Sequence, residues 1–170
     1  MKLIVAVDER WGIGRDNKLL FSIPEDMALF KKATAEKVVV MGRSTLLSLP
    51  GSRPLKNRIN VVLTKDSSLK IDGAITCNSI EQLAGALAGF SSEDIFVIGG
   101  DSVYTQLLGY CSEAYVTKVN ANGHADRFFP DLDSNKDWTL TEASALKTHD
   151  DISYQFCKYK NEAPLSIYEL

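Results

Sequence analysis

The 170-residue sequence predicts a single α/β domain: a central, mostly parallel sheet with an antiparallel C-terminal edge, flanked by about four helices. Three observations carry this expectation. Apolar, β-branched runs recur at Leu3–Val7, Val38–Met41, Ile59–Thr64, Ala74–Cys77 and Ile95–Ile98, and most are continuous rather than alternating, as in strands covered on both faces. Helical patterns fall between several of them. The last third changes character: Ala114–Val119, Leu140–Ala145 and Ser153–Lys160 read as strands with no helix between them, which predicts antiparallel pairing at one edge.

Composition places limits on function. A 45% hydrophobic and 24% charged chain without linker or repeat is an ordinary globular domain, taken here as residues 1–160 followed by a tail, 161–170. A net charge of -3 with no basic run argues against nucleic acid and anionic membrane surfaces as partners. The opening apolar run stops at Asp8, too short for a signal core or a bilayer span, so it reads as a buried strand. Cys77, Cys111 and Cys157 are odd in number and lack metal or redox spacing, which predicts free buried thiols in a reducing cytoplasm. His124 and His149 have no Cys or acidic cluster beside them, and both are expected at the surface with no metal.

Along the chain, the first strand leads into a long connection, Asp8–Ser22, with Gly12, Gly14 and a turn-like Asp16-Asn17; its length predicts a lid or binding loop. The first helix is expected over Pro24–Ala35, opened by a Ser22/Glu25 capping box with Pro24 in its first turn. At roughly 100° per residue, Leu29, Ala33, Asp26, Phe30, Thr34 and Met27 fall along one arc, with Glu25, Lys31 and Lys32 opposite. Asp26 therefore stands in the middle of an apolar face. Either it complements the helix dipole with its head group in water, or it lines a pocket. In a pocket, burial favours its neutral form and an amidine-like ligand its charged form.

Further helices are expected at Ser44–Leu49, Ile80–Ala88 and Ser102–Leu108, the second of these opened by a capping box from Ser79 to Gln82. Two strand–Gly–helix turns stand out: Met41-Gly42-Arg43-Ser44-Thr45 and Ile98-Gly99-Gly100-Asp101-Ser102-Val103-Tyr104. Such turns present free N–H groups to phosphate, and Arg43 adds a bidentate donor. The GxGxxG fingerprint is absent, yet two such turns in one parallel sheet suit a ligand with two separated phosphates. A loop, Asn120–Asp137, rich in Asn, Gly and Asp, joins the late strands.

Taken in order, Ile4-Val5-Ala6, Gly12-Ile13-Gly14 through Asn17, Pro24-Glu25-Asp26-Met27, Phe30-Lys31, Met41 to Thr45, Arg58, Val97 to Gly100, Tyr104, Thr117, Asp126 and Phe129-Pro130-Asp131 resemble dihydrofolate reductases of the bacterial chromosomal type. The resemblance runs from about Leu3 to Lys160. It implies NADPH-dependent reduction of 7,8-dihydrofolate to tetrahydrofolate, with hydride transfer to C6 and protonation at N5, in one-carbon and thymidylate metabolism. A cytoplasmic monomer that also takes antifolate inhibitors is implied as well.

The same resemblance implies the site. Asp26 grips the 2-amino and N3 edge of the pterin, Thr117 supports that carboxylate, and Phe21 forms the wall beside them. Ile4, Val5, Leu19, Met27, Phe30, Lys31, Leu49, Leu55, Ile98 and Tyr104 line the substrate slot, and Arg58 clamps the glutamate α-carboxylate. Ala6, Ile13, Gly14, Asn17, Leu19 and Thr45 lie along the cofactor's nicotinamide half or pyrophosphate. Gly99, Gly100, Asp101, Ser102, Val103 and Gln106 frame its phosphates, with Tyr104 and Ile98 near the nicotinamide. Gly42, Arg43, Ser44, Leu63, Thr64 and Lys65 surround the 2′-phosphate. The sequence departs from the family pattern in three places. Leu20-Phe21 replaces the usual Pro-Trp, removing an indole N–H that orders water near the substrate. Ser44 and Ser102 stand where basic residues are frequent, so NADPH preference rests on Arg43 and Lys65. Two rival readings are a pteridine or pyrimidine reductase of the same fold, which needs neither Asp26 nor Arg58, and a non-catalytic folate-binding paralogue.

Overall fold

A computed structural model describes residues 1–170. The strands are β1 (Lys2–Val7), β2 (Gly12–Gly14), β3 (Val38–Gly42), β4 (Ile59–Leu63), β5 (Ala74–Cys77), β6 (Ile95–Gly99), β7 (Glu113–Val119), β8 (Arg127–Phe128), β9 (Trp138–Ala143), β10 (Lys147–His149) and β11 (Ile152–Asn161). The helices are α1 (Pro24–Thr34), α2 (Arg43–Ser48), α3 (Ile80–Leu87) and α4 (Asp101–Leu107). Nine strands form one sheet in the order β10-β11-β7-β1-β6-β3-β4-β5, with β9 also paired to β11. Every pairing from β7 to β5 is parallel, while β11 runs antiparallel to β7, β9 and β10.

The continuous apolar runs have a direct cause in the two-sided cover of the sheet. One face sets Leu3, Val5, Val40 and Val97 against Leu83, Leu87 and Leu107. The other sets Val39, Met41 and Val62 against Leu46. All three cysteines are free and buried, and no helix is long and apolar enough to cross a membrane.

The sheet splits where a ligand can enter. β1 stays in register with β7 from Lys2/Glu113 to Val7/Lys118, but with β6 it pairs only at Lys2/Phe96 and Leu3/Val97. β6 instead follows β3 to Met41/Gly99, with a register shift after Val40. The carboxyl ends of β1 and β6 therefore diverge. From β1 the chain winds to β3 on one side, and β6 feeds β7 on the other, so the opening lies at the switch point of the sheet.

Some local expectations are corrected. No capping box forms at α1: its N-cap is Ile23, without a side-chain cap, because Glu25 turns away to Lys147 and Tyr154. At α3, Ser79 does accept from the Gln82 N–H, but the Gln82 side chain takes the Asn78 N–H. The connections 8–22 and 120–137 are not wholly irregular, since each contributes a short strand, β2 and β8, to a two-stranded ribbon. β10 lay unread between two expected strands. Beyond Asn161 the chain turns back to the core, where Ile167 is buried and the Leu165 N–H meets the Gly109 carbonyl at 2.9 Å.

Candidate active site

α1 lies beside the split in the sheet and covers little of itself with protein. Thr34 is its one buried residue; Leu29, Phe30 and Ala33 are half-buried, and Met27 is 48% exposed. The apolar arc thus forms a wall of an open slot. Asp26 faces it from within, and the Thr117 hydroxyl on β7 donates directly to Asp26 Oδ1 at 2.6 Å. Burial pushes the Asp26 carboxyl above its ordinary range, and the Thr117 hydrogen bond pulls it partly back. Ile4 and Ala6 of β1 and Ile98 of β6 line up along the diverging edges. The wholly exposed dipole-capping role is thereby excluded for Asp26.

Tyr104 on α4 holds the split open. Its buried hydroxyl donates to the Ile4 carbonyl at 2.6 Å, where the β1–β6 ladder has stopped. Burial raises its pKa far above normal, and the nearby Asp26 charge adds to the effect, so it remains a neutral donor. Phe129 packs edge-on against it, ring centroids 5.0 Å apart.

At the far end of α1, Arg58 is anchored by its Nε to Thr34 Oγ1 at 2.9 Å and by Nη1 to the Lys56 carbonyl at 3.0 Å. Its guanidinium lies 5.9 Å from the Phe30 ring centre. The remaining N–H groups of this pre-oriented fork are available to an anion. An open cavity of about 670 Å³ adjoins it, lined in part by Leu55, Asn60 and Ile71.

The two Gly-containing turns meet each other. A Cβ at Gly99 would sit 3.0 Å from Thr45 Oγ1, one at Gly100 3.3 Å from the same oxygen, and one at Gly42 3.1 Å from Val103 Cγ2. Gly99 also has φ +133, which side-chain-bearing residues avoid. The result is a narrow cradle whose walls are backbone and small hydroxyls. The first-turn N–H groups of α2 and α4 have no intrahelical acceptor there. Such a cradle fits a phosphate-bearing cofactor. Arg43 stands beside it, 3.8 Å from Asp66, and Lys65 is exposed next to them. Arg127 of β8 approaches Asp101 at 4.0 Å.

Not every expected residue lies in this group. Phe21 packs with Ile23, Val119 and Tyr154 rather than along the β1–β6 edge. Leu19 is 69% exposed, Asn17 lies in an exposed turn at φ +58, and Lys31 points to solvent. The Gln106 amide folds back onto Ser102. One residue that shapes the site went unread as such: Asp8, buried, accepts from the N–H groups of Arg10, Gly12 and Gly123, tying the 8–22 loop to the 120–137 loop. Its signal was a carboxylate ending an apolar strand, four residues before a glycine.

Comparison with known proteins gives this geometry a family. A family model described as Dihydrofolate reductase matches residues 1–161. The chain belongs to the dihydrofolate reductase family. Among curated members of that family, the dihydrofolate reductase of Bacillus subtilis is 34% identical over 164 residues, covering 95% of each chain. That of Buchnera aphidicola from Schizaphis graminum is 35% identical, covering 92% of this chain and 95% of its own. The solved dihydrofolate reductase of Enterococcus faecalis, complexed with NADP(H) and RAB-propyl, superposes with a TM-score of 0.80 at 29% identity, over 94% of this chain and 95% of that one.

Proposed function

We propose that this chain reduces 7,8-dihydrofolate to tetrahydrofolate with NADPH, and that the split beside α1 is where it does so. The observation that carries this reading is Asp26: a carboxylate held by Thr117 inside an apolar slot, with an arginine at the slot's other end. A flat ring bearing an amidine-like 2-amino and N3 edge satisfies both oxygens of that carboxylate and offsets the cost of its burial. The slot's apolar walls, Ile4, Phe30 and Ile98, exclude water from the ring faces, and Arg58 takes the substrate's α-carboxylate. A rival reductase lacking this substrate has no use for the pair.

NADPH, when bound, supplies the hydride that reduces C6. The protein's part is to orient and polarise. The Gly99–Gly100 cradle and the amides opening α4 hold the pyrophosphate, and Arg43, Thr64 and Lys65 hold the 2′-phosphate once Arg43 leaves Asp66. Asp26 grips the pterin edge remote from N5, so its charge favours protonation of N5 from solvent rather than delivering the proton itself.

We take the protein to act as a monomer, a state that its elution volume in size-exclusion chromatography tests. The three free thiols suit a reducing compartment, and we place the protein in the cytoplasm. Antifolates that present a diaminopyrimidine edge should compete at Asp26. A spectrophotometric assay of NADPH oxidation tests the reading: turnover on addition of dihydrofolate is expected. Folate binding without turnover would instead indicate the non-catalytic paralogue.

A further inference from the structure

Two adjacent carboxylates leave the first turn of α1 in different directions. Asp26 reaches Thr117 on β7. Glu25 reaches the C-terminal hairpin, where its Oε2 accepts from the Tyr154 hydroxyl at 2.7 Å and its Oε1 from Lys147 Nζ at 2.8 Å. Lys147 and Tyr154 are direct register partners across β10 and β11, so the hairpin presents both donors on one face.

We propose that Tyr154 and Lys147, acting through Glu25, are positioning residues that set the orientation of the Asp26 carboxylate toward the pterin. The inference rests on the reductase reading above and extends it to groups that touch neither substrate nor cofactor.

Three features of the molecule support it. First, α1 has no side-chain cap, so within the helix the turn that carries Asp26 is held only by Pro24 and by backbone bonds such as Met27 N–H to the Ile23 carbonyl at 3.0 Å. An outside anchor adds to that hold. Second, the anchor is rigid where it matters. Tyr154 is buried between Ile23 and Val119, its ring edge-on to Phe156 with centroids 5.6 Å apart, so its hydroxyl is a fixed point. Third, the anchor and the Asp26 support belong to one surface: Phe156 stands opposite Thr117 in the β7–β11 register, and Lys147 Nζ lies 5.7 Å from the Phe156 ring centre. Helix α1 is thereby pinned at two neighbouring residues to two neighbouring strands. With Thr117 fixing Oδ1, the plane of the Asp26 carboxylate follows the direction of the first turn. A ring that must meet both oxygens is sensitive to that plane. The Glu25 carboxyl sits below its ordinary range because of Lys147 first and Tyr154 second, so the anchor stays ionised at neutral pH.

The test measures dissociation constants for folate and for NADPH separately, by quenching of the tryptophan fluorescence, in wild type, Tyr154→Phe, Lys147→Met and Lys147→Arg. Tyr154→Phe keeps the ring and its packing while removing the hydroxyl. It is expected to weaken folate about fivefold and to leave NADPH unchanged. Lys147→Met shifts folate in the same direction by less, because the Lys147 side chain is partly open to solvent, and Lys147→Arg restores wild-type binding. Unchanged folate affinity in both deletions overturns the inference. So does parallel weakening of folate and NADPH with a lowered Tm, which is the signature of general loosening. Wild type that binds no folate overturns the reductase reading and the inference together, whereas wild type that binds folate, with affinity unchanged in both deletions, overturns the inference alone.

Discussion

Asp26 works against stability. Its pKa in the folded chain is raised, by burial, above its unfolded value. The neutral form's advantage is therefore fully present below the unfolded pKa and is lost as pH rises through the raised folded value. Asp26→Asn keeps an acceptor for the Thr117 hydroxyl and removes the buried charge. Its Tm is expected to exceed that of wild type near pH 8, with the difference closing as pH falls below the ordinary carboxylate range, where the Asp26 side chain is neutral as well. Thermal melts across pH check this, and a lower Tm at pH 8 would count against the assignment. Arg58 gives a complementary prediction. Arg58→Gln should raise KM for dihydrofolate about tenfold or more, as expected for loss of a bidentate ion pair. A pteridine substrate without the glutamate tail should be unaffected. At this scale the sequence was informative where chemistry breaks a pattern: a carboxylate on an apolar arc is visible without a structure. Glu25 was not, because a charge on the polar arc looks solvated, and its partners Tyr154 and Lys147 lie more than a hundred residues on.

The helices and strands were legible where periodicity is long or caps are local. β3, β4 and β6 follow from apolar runs buried on both faces, and α3 from its Ser79 cap. The short ribbon of β2 and β8 was not legible, since three-residue and two-residue strands carry no period and exist by pairing with each other. The failed Ser22/Glu25 box has the same cause, a tertiary partner outbidding a local one. The cradle between α2 and α4 is the element whose geometry is most demanding. At Gly99, an alanine Cβ would meet Thr45 Oγ1 at 3.0 Å on a backbone with φ +133. Gly99→Ala is expected to weaken NADPH binding by at least about tenfold through displacement of the cradle wall, measured by NADPH fluorescence on binding. Unaltered affinity would show that the cradle does not hold the cofactor.

The whole molecule is a sheet wound in two directions from β1 and β6, closed at the far end by the returning C-terminus. Ile167 adds a buried side chain to the main core, and the Tyr168 hydroxyl reaches the Leu87 carbonyl at 3.3 Å. Removing residues 162–170 should cost about 2 kcal/mol of stability, the value of one buried aliphatic side chain, and lower Tm by roughly 5 °C in a chain of this size. Chemical denaturation with an unchanged midpoint would contradict that. The fold class could be read from strand order because parallel strands need helical crossovers; the split between β1 and β6 could not, because it depends on where a ladder stops. That split turns Asp26 toward an open slot, and on this ground we propose it as a ligand-facing carboxylate rather than a buried defect. The most direct test is therefore kcat/KM for dihydrofolate at saturating NADPH in wild type and Asp26→Asn. Measurable turnover in wild type, with a loss of at least about a hundredfold in Asp26→Asn, is the predicted result; equal activity in the two proteins would contradict it.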